Sequence, residues 1–322
     1  MPPPEASSRI DLDELVAAVR SHPGLLAKRA IGAVRGAVEE PDALTGPGDD
    51  GAVVEMPQGG SLIVCGEAMH PPFVASDPHG AGMAAVLANV NDLAAMGAVP
   101  TAIVNTVVAP APLAAECLRG MAEAAALYDV PVVGGHISEH AGEPALSAFA
   151  LGSADRVLSA TRASPGEELV FVCCLDGRMR SDFPFFTSIA TQGPRLAADV
   201  RLLAEAARAG LASAAKDVSM AGVIGSLAML LEPGRLGADI DLEQLPVPAG
   251  VDLDRWLVSF PTYAFWLASD RAGACADLFR DAGLTAAVAG TLTGGGVLNL
   301  HLGADARAVM DLTHEPVTGL WD

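Results

Sequence analysis

At 322 residues the chain is longer than one hydrophobic core usually supports, so two domains are expected, and a composition of 51% apolar and 18% charged residues is that of a packed protein rather than a disordered one. The net charge of −20, from 39 acidic against 19 basic residues, repels phosphate backbones and anionic lipid, which argues against nucleic acid or a membrane surface as partner. A nucleotide would need metal ions or backbone dipoles to bind such a chain.

The opening "MPPPEASSRIDLDEL" has no signal-peptide pattern, and no run reaches the roughly 18 uncharged apolar residues that span a bilayer. Cys65, Cys117, Cys173, Cys174 and Cys275 are odd in number and lack CxxC spacing, so neither a disulfide framework nor a zinc site is indicated and a reduced, cytoplasmic setting is expected.

In chain order, "DLDELVAAVRSHPGLL" has apolar residues at helical spacing and predicts one N-terminal helix. "TGPGDDGAVV" then sets Asp49 and Asp50 side by side between glycines, just before an apolar strand. Two readings are open for them: a solvated turn, since Gly, Pro and Asp are ordinary turn residues, or a magnesium site, since hard cations take carboxylate oxygens and adjacent carboxylates repel unless screened. "SLIVCGEAM" predicts a buried strand carrying Glu67, followed by a Pro- and His-rich loop, "HPPFVASDPHG". "AGMAAVLANVNDLAAMGA" predicts a long helix stopped by Gly97 and Pro100, with Asn89 and Asp92 on one face. A carboxylate in such an apolar helix must be paired or metal-bound if it is buried.

"TAIVNTVVA" predicts a strand, "PLAAECLRGMAEAAALYD" a helix, and "VPVVGG" a short strand ending at His136. His136 is open to either a structural or a ligand-contacting role. His70, His79 and His140 show no ligand spacing. "ALSAFALG" is a further strand, and the turn-rich "SADRVLSATRASPGEE" marks the domain boundary, giving units of residues 1–158 and 159–322. The second unit opens with the strand "LVFVCC" and continues through the helix "PRLAADVRLLAEAARAGL", the glycine-bearing "KDVSMAGVIGSLAMLLEPG" and the strand "ADIDL". It closes on a hairpin at "TLTGGGVLNLHL", whose glycines open no helix and so suggest a turn rather than a phosphate cradle. Strands and helices mix in both halves, so the fold class is α/β or α+β. The acidic residues Asp49, Asp50, Glu67, Asp92 and Asp217 recur at element ends, a distribution that suits a metal–phosphate site built from several loops as well as ordinary caps.

Taken in order, "GPGDDGAVV", "CGEAMH", "ANVNDLAAMGAVP", "VVGGHIS" and "KDVSMAGVIGSL" resemble the motif series of the AIR synthase (PurM-like) superfamily. That superfamily includes aminoimidazole ribonucleotide synthase, thiamine-monophosphate kinase, selenophosphate synthetase and HypE. The resemblance implies a two-domain fold whose N-terminal domain forms a β-barrel with that of a second copy, with a C-terminal α/β domain shaping the acceptor pocket. It implies ATP and Mg2+ as cofactors, a small-molecule acceptor and a homodimer. Carried over residue by residue, it implies metal ligation by Asp49, Asp50, Glu67, Asp92 and Asp217, and nucleotide contacts from Asn89, His136, Lys216 and Ser219.

The first half is most similar to thiamine-monophosphate kinase, through "VNDLAAMGAVP" and "ADIDLEQLP". Three positions depart from that pattern: His136 stands for an Asp, Met220 falls in an "SDG" region, and "SFPTYAF" replaces an acidic segment. "GGHISEHAGEP" and Asp217 look like selenophosphate synthetase, but residues 1 to 45 hold no Cys, and the C-terminal "THEPVTGLWD" lacks the terminal Cys of HypE. The expected activity is phosphotransfer to, or activation of, a small metabolite, with a non-catalytic nucleotide-binding role as the alternative. No catalytic base is identified; Arg178 and Arg180 are candidate anion contacts.

Overall fold

The computed structural model describes residues 11–37, 48–57 and 59–321. The first helix, α1 (Leu12–Arg20), is capped by Asp11, whose side chain accepts from the Asp13 N–H, and buries Leu12, Leu15 and Val19. It ends sooner than its apolar periodicity predicts. Pro23 lacks an N–H and would clash with the preceding turn, so it starts a separate short helix, α2 (Pro23–Leu26), continued by a 3-10 stretch over Ala27–Val34.

Five strands build the first sheet: β1 (Ala52–Glu55), β2 (Ser61–Met69), β3 (Val99–Ala109), β4 (Val132–Glu139) and β5 (Ala145–Ala154), in the order β1-β2-β5-β3-β4. Only β3 and β4 run parallel, joined by a crossover helix as parallel neighbours require. The segment expected as a loop after β2 contains a helix, α3 (Pro71–Ser76), because prolines are well suited to a first helical turn. Asp77 then caps α4 (Pro78–Ala95), which ends at Gly97 in the left-handed region. The crossover helix, α5 (Ala111–Tyr128), meets α4 through glycines. A methyl group on Gly82 would lie 2.0 Å from the Cys117 carbonyl, and one on Gly120 2.0 Å from that of His79.

The second sheet has seven strands: β6 (Glu168–Cys173), β9 (Ala214–Asp217), β10 (Gly237–Asp241), β12 (Ala264–Ser269), β13 (Thr285–Thr293), β14 (Val297–Leu302) and β15 (Asp305–Asp311), in the order β15-β14-β10-β13-β6-β12-β9. A small sheet joins β7 (Arg178–Met179), β8 (Phe185–Thr187) and β11 (Phe260–Pro261). The helices are α6 (Ile189–Gln192), α7 (Leu196–Arg208), α8 (Gly222–Leu231), α9 (Leu253–Leu257) and α10 (Ala272–Asp281). The hairpin expected at "TLTGGGVLNLHL" does not form: β10 inserts between β13 and β14, antiparallel to the first and parallel to the second. Bare backbone makes the slot, since a side chain on Gly290 would lie 2.4 Å from the Asp239 carbonyl. The hairpin instead joins β14 to β15.

One core cluster lies between the two sheets, around Leu93, Ile103, Phe265 and Phe279; another packs behind the second sheet around Phe171, Trp256 and Trp266. Helix α4 runs through the first, against β2, β3, β5, β9, α5 and α7, so a polar side chain on it enters a buried setting. No helix among the described residues is long and apolar enough to cross a membrane.

Candidate metal and nucleotide site

Three carboxylates distant in sequence converge where α4 meets the edge of the second sheet. Asp50 comes from the turn before β1, Asp92 from α4 and Asp217 from the end of the edge strand β9. Their ligand oxygens all lie within 4.8 Å of one another. Glycine on either side of the Asp pair lets the turn pack closely, since a side chain on Gly51 would lie 2.8 Å from Ile63. The Asp217 N–H points at Asp50 Oδ2, 3.5 Å away.

Lys216 lies among them. Its Nζ is 2.5 Å from Asp50 Oδ1 and bonds Asp217 Oδ1 as well, and its side chain is only 8% exposed. Burial opposes its charge, but the carboxylates of Asp217, Asp50 and Asp92 outweigh burial and hold its proton more tightly than in water. The acids respond in the opposite sense. Burial lifts the Asp50 carboxyl to about 7, with Lys216 opposing and Asp217 and Asp49 adding to the rise. Burial, then the neighbouring Asp217, Glu67 and Asp50, holds Asp92 well above the usual carboxylate range. Carboxyls so raised are poised to exchange protons for a cation.

The two adjacent aspartates have separate surroundings. Asp49 accepts from the Ser159 hydroxyl at 2.6 Å and the Ala160 N–H at 3.0 Å, tying its turn to the segment that leads from one sheet to the other. Burial lifts it to about 6 against those bonds. It stands outside the triad.

Glu67 projects toward the α4 side of the first sheet and lies at the margin of the cluster, solvent-exposed at its strand position yet with its carboxyl raised, first by desolvation from the groups around it and then by Asp217, while Lys28 lowers it. The approach of Lys28 to Glu67 was not foreseen. The available signal is a run with no acidic residue between Leu15 and Val38, in an acidic protein, that carries Arg20, Lys28, Arg29 and Arg35.

The structure sets His136 away from the triad and commits the Asn89 side chain to other partners. Asn89 is fully buried, donating to the Ala85 and Ala148 carbonyls at 2.8 and 3.3 Å and accepting from Cys65 Sγ. His136 is not at a strand end, as expected, but inside β4, in register with Thr106 on the opposite face of the sheet, where it is exposed and bonds Ser138. Ser219 is in the turn between β9 and α8, and its buried hydroxyl has no partner among the described residues. The same holds for Asn91 Oδ1, one residue before Asp92.

The segment "SFPTYAF" is committed to structure. The Thr262 carbonyl accepts from Asn91 and its hydroxyl from the Ser188 N–H, while the buried Tyr263 hydroxyl donates to the Asp199 carbonyl. Arg180 is engaged in an exposed pair with Asp182.

Oxygen-only ligands of this kind suit a hard cation. The donor set therefore fits Mg2+.

Comparison with known proteins gives a consistent assignment. Residues 48–154 match the N-terminal domain and residues 190–303 the C-terminal domain of AIR synthase related proteins. The chain is 36% identical to the uncharacterized protein sll0787 of Synechocystis over 280 residues, covering 84% of this chain and 86% of that one. It is 32% identical to the thiamine-monophosphate kinase of Rhodopirellula baltica over 170 residues, covering 52% and 50%. Thermotoga maritima PurL, solved in complex with ATP, superposes with a TM-score of 0.74 at 21% identity over 96% of this chain. This chain spans 51% of that PurL chain. With both domain types matched in order and a relative above 30% identity over 84% of the chain, the chain belongs to the AIR synthase-related, PurM-like superfamily.

Proposed function

We propose that this protein is an ATP- and Mg2+-dependent enzyme that transfers a phosphoryl group to a small metabolite or activates it. The observation that carries the reading is the convergence of Asp50, Asp92 and Asp217, from three separate segments, into one buried oxygen cluster. These three, with Glu67 at their margin, would hold the metal. Bound Mg2+ neutralises phosphate charge and orients the transferring group. The chain's own part is to fix that arrangement: Lys216 offers a point charge and Ser219 an unpartnered hydroxyl to phosphate oxygens, and α4 keeps Asp92 shielded from water. Membership of a superfamily that includes thiamine-monophosphate kinase and a PurL that binds ATP supports the reading.

The unit of function in this proposal is a cytoplasmic homodimer, each chain divided into residues 1–158 and 159–322. Support for pairing comes from the outer face of the first sheet, where Val54 and Phe149 lie about half exposed. Support for a reducing compartment comes from five cysteines that are all buried and free.

Calorimetric titration with ATP tests the reading: binding is expected in Mg2+ and its loss in EDTA, whereas equal binding in both removes the metal assignment. A second reading, a nucleotide-binding regulator without catalysis, is favoured by the locked "SFPTYAF" segment, which offers no acidic side chain where the related kinase pattern has one. ATP binding without consumption against any candidate acceptor selects it.

A further inference from the structure

We infer that Lys216 is a resident cation of the acidic triad: its ammonium takes the place of a free divalent ion, so that metal enters together with a nucleotide and not before it. The inference rests on reading Asp50, Asp92 and Asp217 as the cation ligands. Its own basis is where the lysine lies. Nζ contacts oxygens of two of the three carboxylates, and each of the three offers an oxygen within 4.8 Å of the other two. Mg2+ held by the same oxygens would need to approach each to about 2.0–2.1 Å. An ammonium already hydrogen-bonded to two of them excludes it.

Electrostatics gives the reason for a lysine here. Three buried carboxylates without a counter-ion repel one another and lose hydration, so the nucleotide-free protein needs a cation to keep them assembled. Lys216 supplies one without depending on metal. It does so from an unusual direction: in register it pairs with Trp266, while Asp217 pairs with Phe265, so the two side chains leave the strand on opposite faces. β9 is the sheet's edge strand, and the long lysine arm brings the ammonium back to the aspartate side. Three carboxyl groups outnumber the one ammonium, which leaves oxygens to receive the metal of a metal–nucleotide complex. The flexible stem lets the ammonium move onto a phosphate oxygen as that metal takes over the carboxylates.

The test uses Mn2+ alone as probe, titrated into the nucleotide-free full-length protein by calorimetry and by electron paramagnetic resonance of free Mn2+. Lys216→Met is expected to bind Mn2+ at least about tenfold more tightly than wild type, the gain vanishing in Lys216→Met combined with Asp50→Asn. Lys216→Arg, which keeps the charge, is expected to retain wild-type weak binding. Equal Mn2+ affinity in wild type and Lys216→Met overturns the inference. Should Lys216→Met fail to fold without metal, recovery of folding by Mn2+ supports the inference and absence of recovery overturns it. ATP titration of the same wild-type sample reports separately on the nucleotide reading, so the two can fail independently.

Discussion

The two faces of the first sheet differ in what they do with polarity. On the side toward α4, the row Glu67, Ala148, Asn105 and Gly135 leads to a buried acidic cluster in which one lysine pairs with two of the three carboxylates. On the outer side, Gly66, Phe149, Val104 and Gly134 form one row and Ala68, Ser147, Thr106 and His136 the next, a mostly apolar surface that is open to solvent. The inner face buries Asn105 at its centre, and the outer face exposes Val54 and Phe149, side chains of a kind usually buried. Such a contrast would suit the ion site and the dimer interface proposed above. Strand alternation is what keeps the two separate: Gly66 and Glu67 are neighbours in sequence yet serve opposite sides.

The strongest way to break this contrast is at the inner face. Asp50→Asn is expected to lower ATP-dependent turnover by about a hundredfold or more, measured by steady-state nucleotide consumption; unchanged turnover would remove the metal assignment. At the outer face, Phe149→Asp is expected to convert a dimer to a folded monomer by sedimentation velocity, because Phe149 is 45% exposed and its ring lies across Gly66. A dimer that survives this change places the interface elsewhere.

Proton linkage sharpens the contrast further. Asp50, at about 7, and Asp49, at about 6, titrate above their unfolded values because of burial. A carboxyl raised on folding favours the folded state while protonated, so this contribution is complete below about pH 4 and is lost as pH rises through 6 to 7. The metal-free protein is therefore expected to lose thermal stability over that range, and Mg–ATP to restore it at pH 7. Metal binding has the opposite slope, since ligands must be ionised, and the apparent Mg–ATP affinity is expected to fall by up to roughly tenfold per pH unit below 7. A flat profile would show that Asp50 does not ligate. The smallest effect belongs to His136→Ala, expected to change ATP affinity by less than about twofold because His136 lies on the outer face. A larger loss would mean that the two faces communicate.

Much of this was legible in the chain. Small apolar residues and the Gly97 stop gave α4, apolar runs gave β2, β3 and β5, and five ordered motifs gave the family, because capping, turn chemistry and strand pattern are set by residues close in sequence. The insertion of β10 between β13 and β14 was not legible, since three glycines between two apolar strands satisfy a hairpin equally well. His136 was misplaced because its two preceding glycines resemble a strand end, whereas pairing with β3 carries the strand through to Glu139.

"GPGDDG" shows the division most clearly. The sequence by itself determined that two carboxylates sit in a glycine-rich turn before a strand and that Asp92 lies on an apolar helix, because those are properties of neighbouring residues. Only the tertiary structure decided that Asp49 bonds Ser159 and Ala160 while Asp50 meets Asp92, Lys216 and Asp217. Which of two adjacent side chains faces a distant strand is fixed by how the sheets pack, and that packing depends on contacts more than a hundred residues apart.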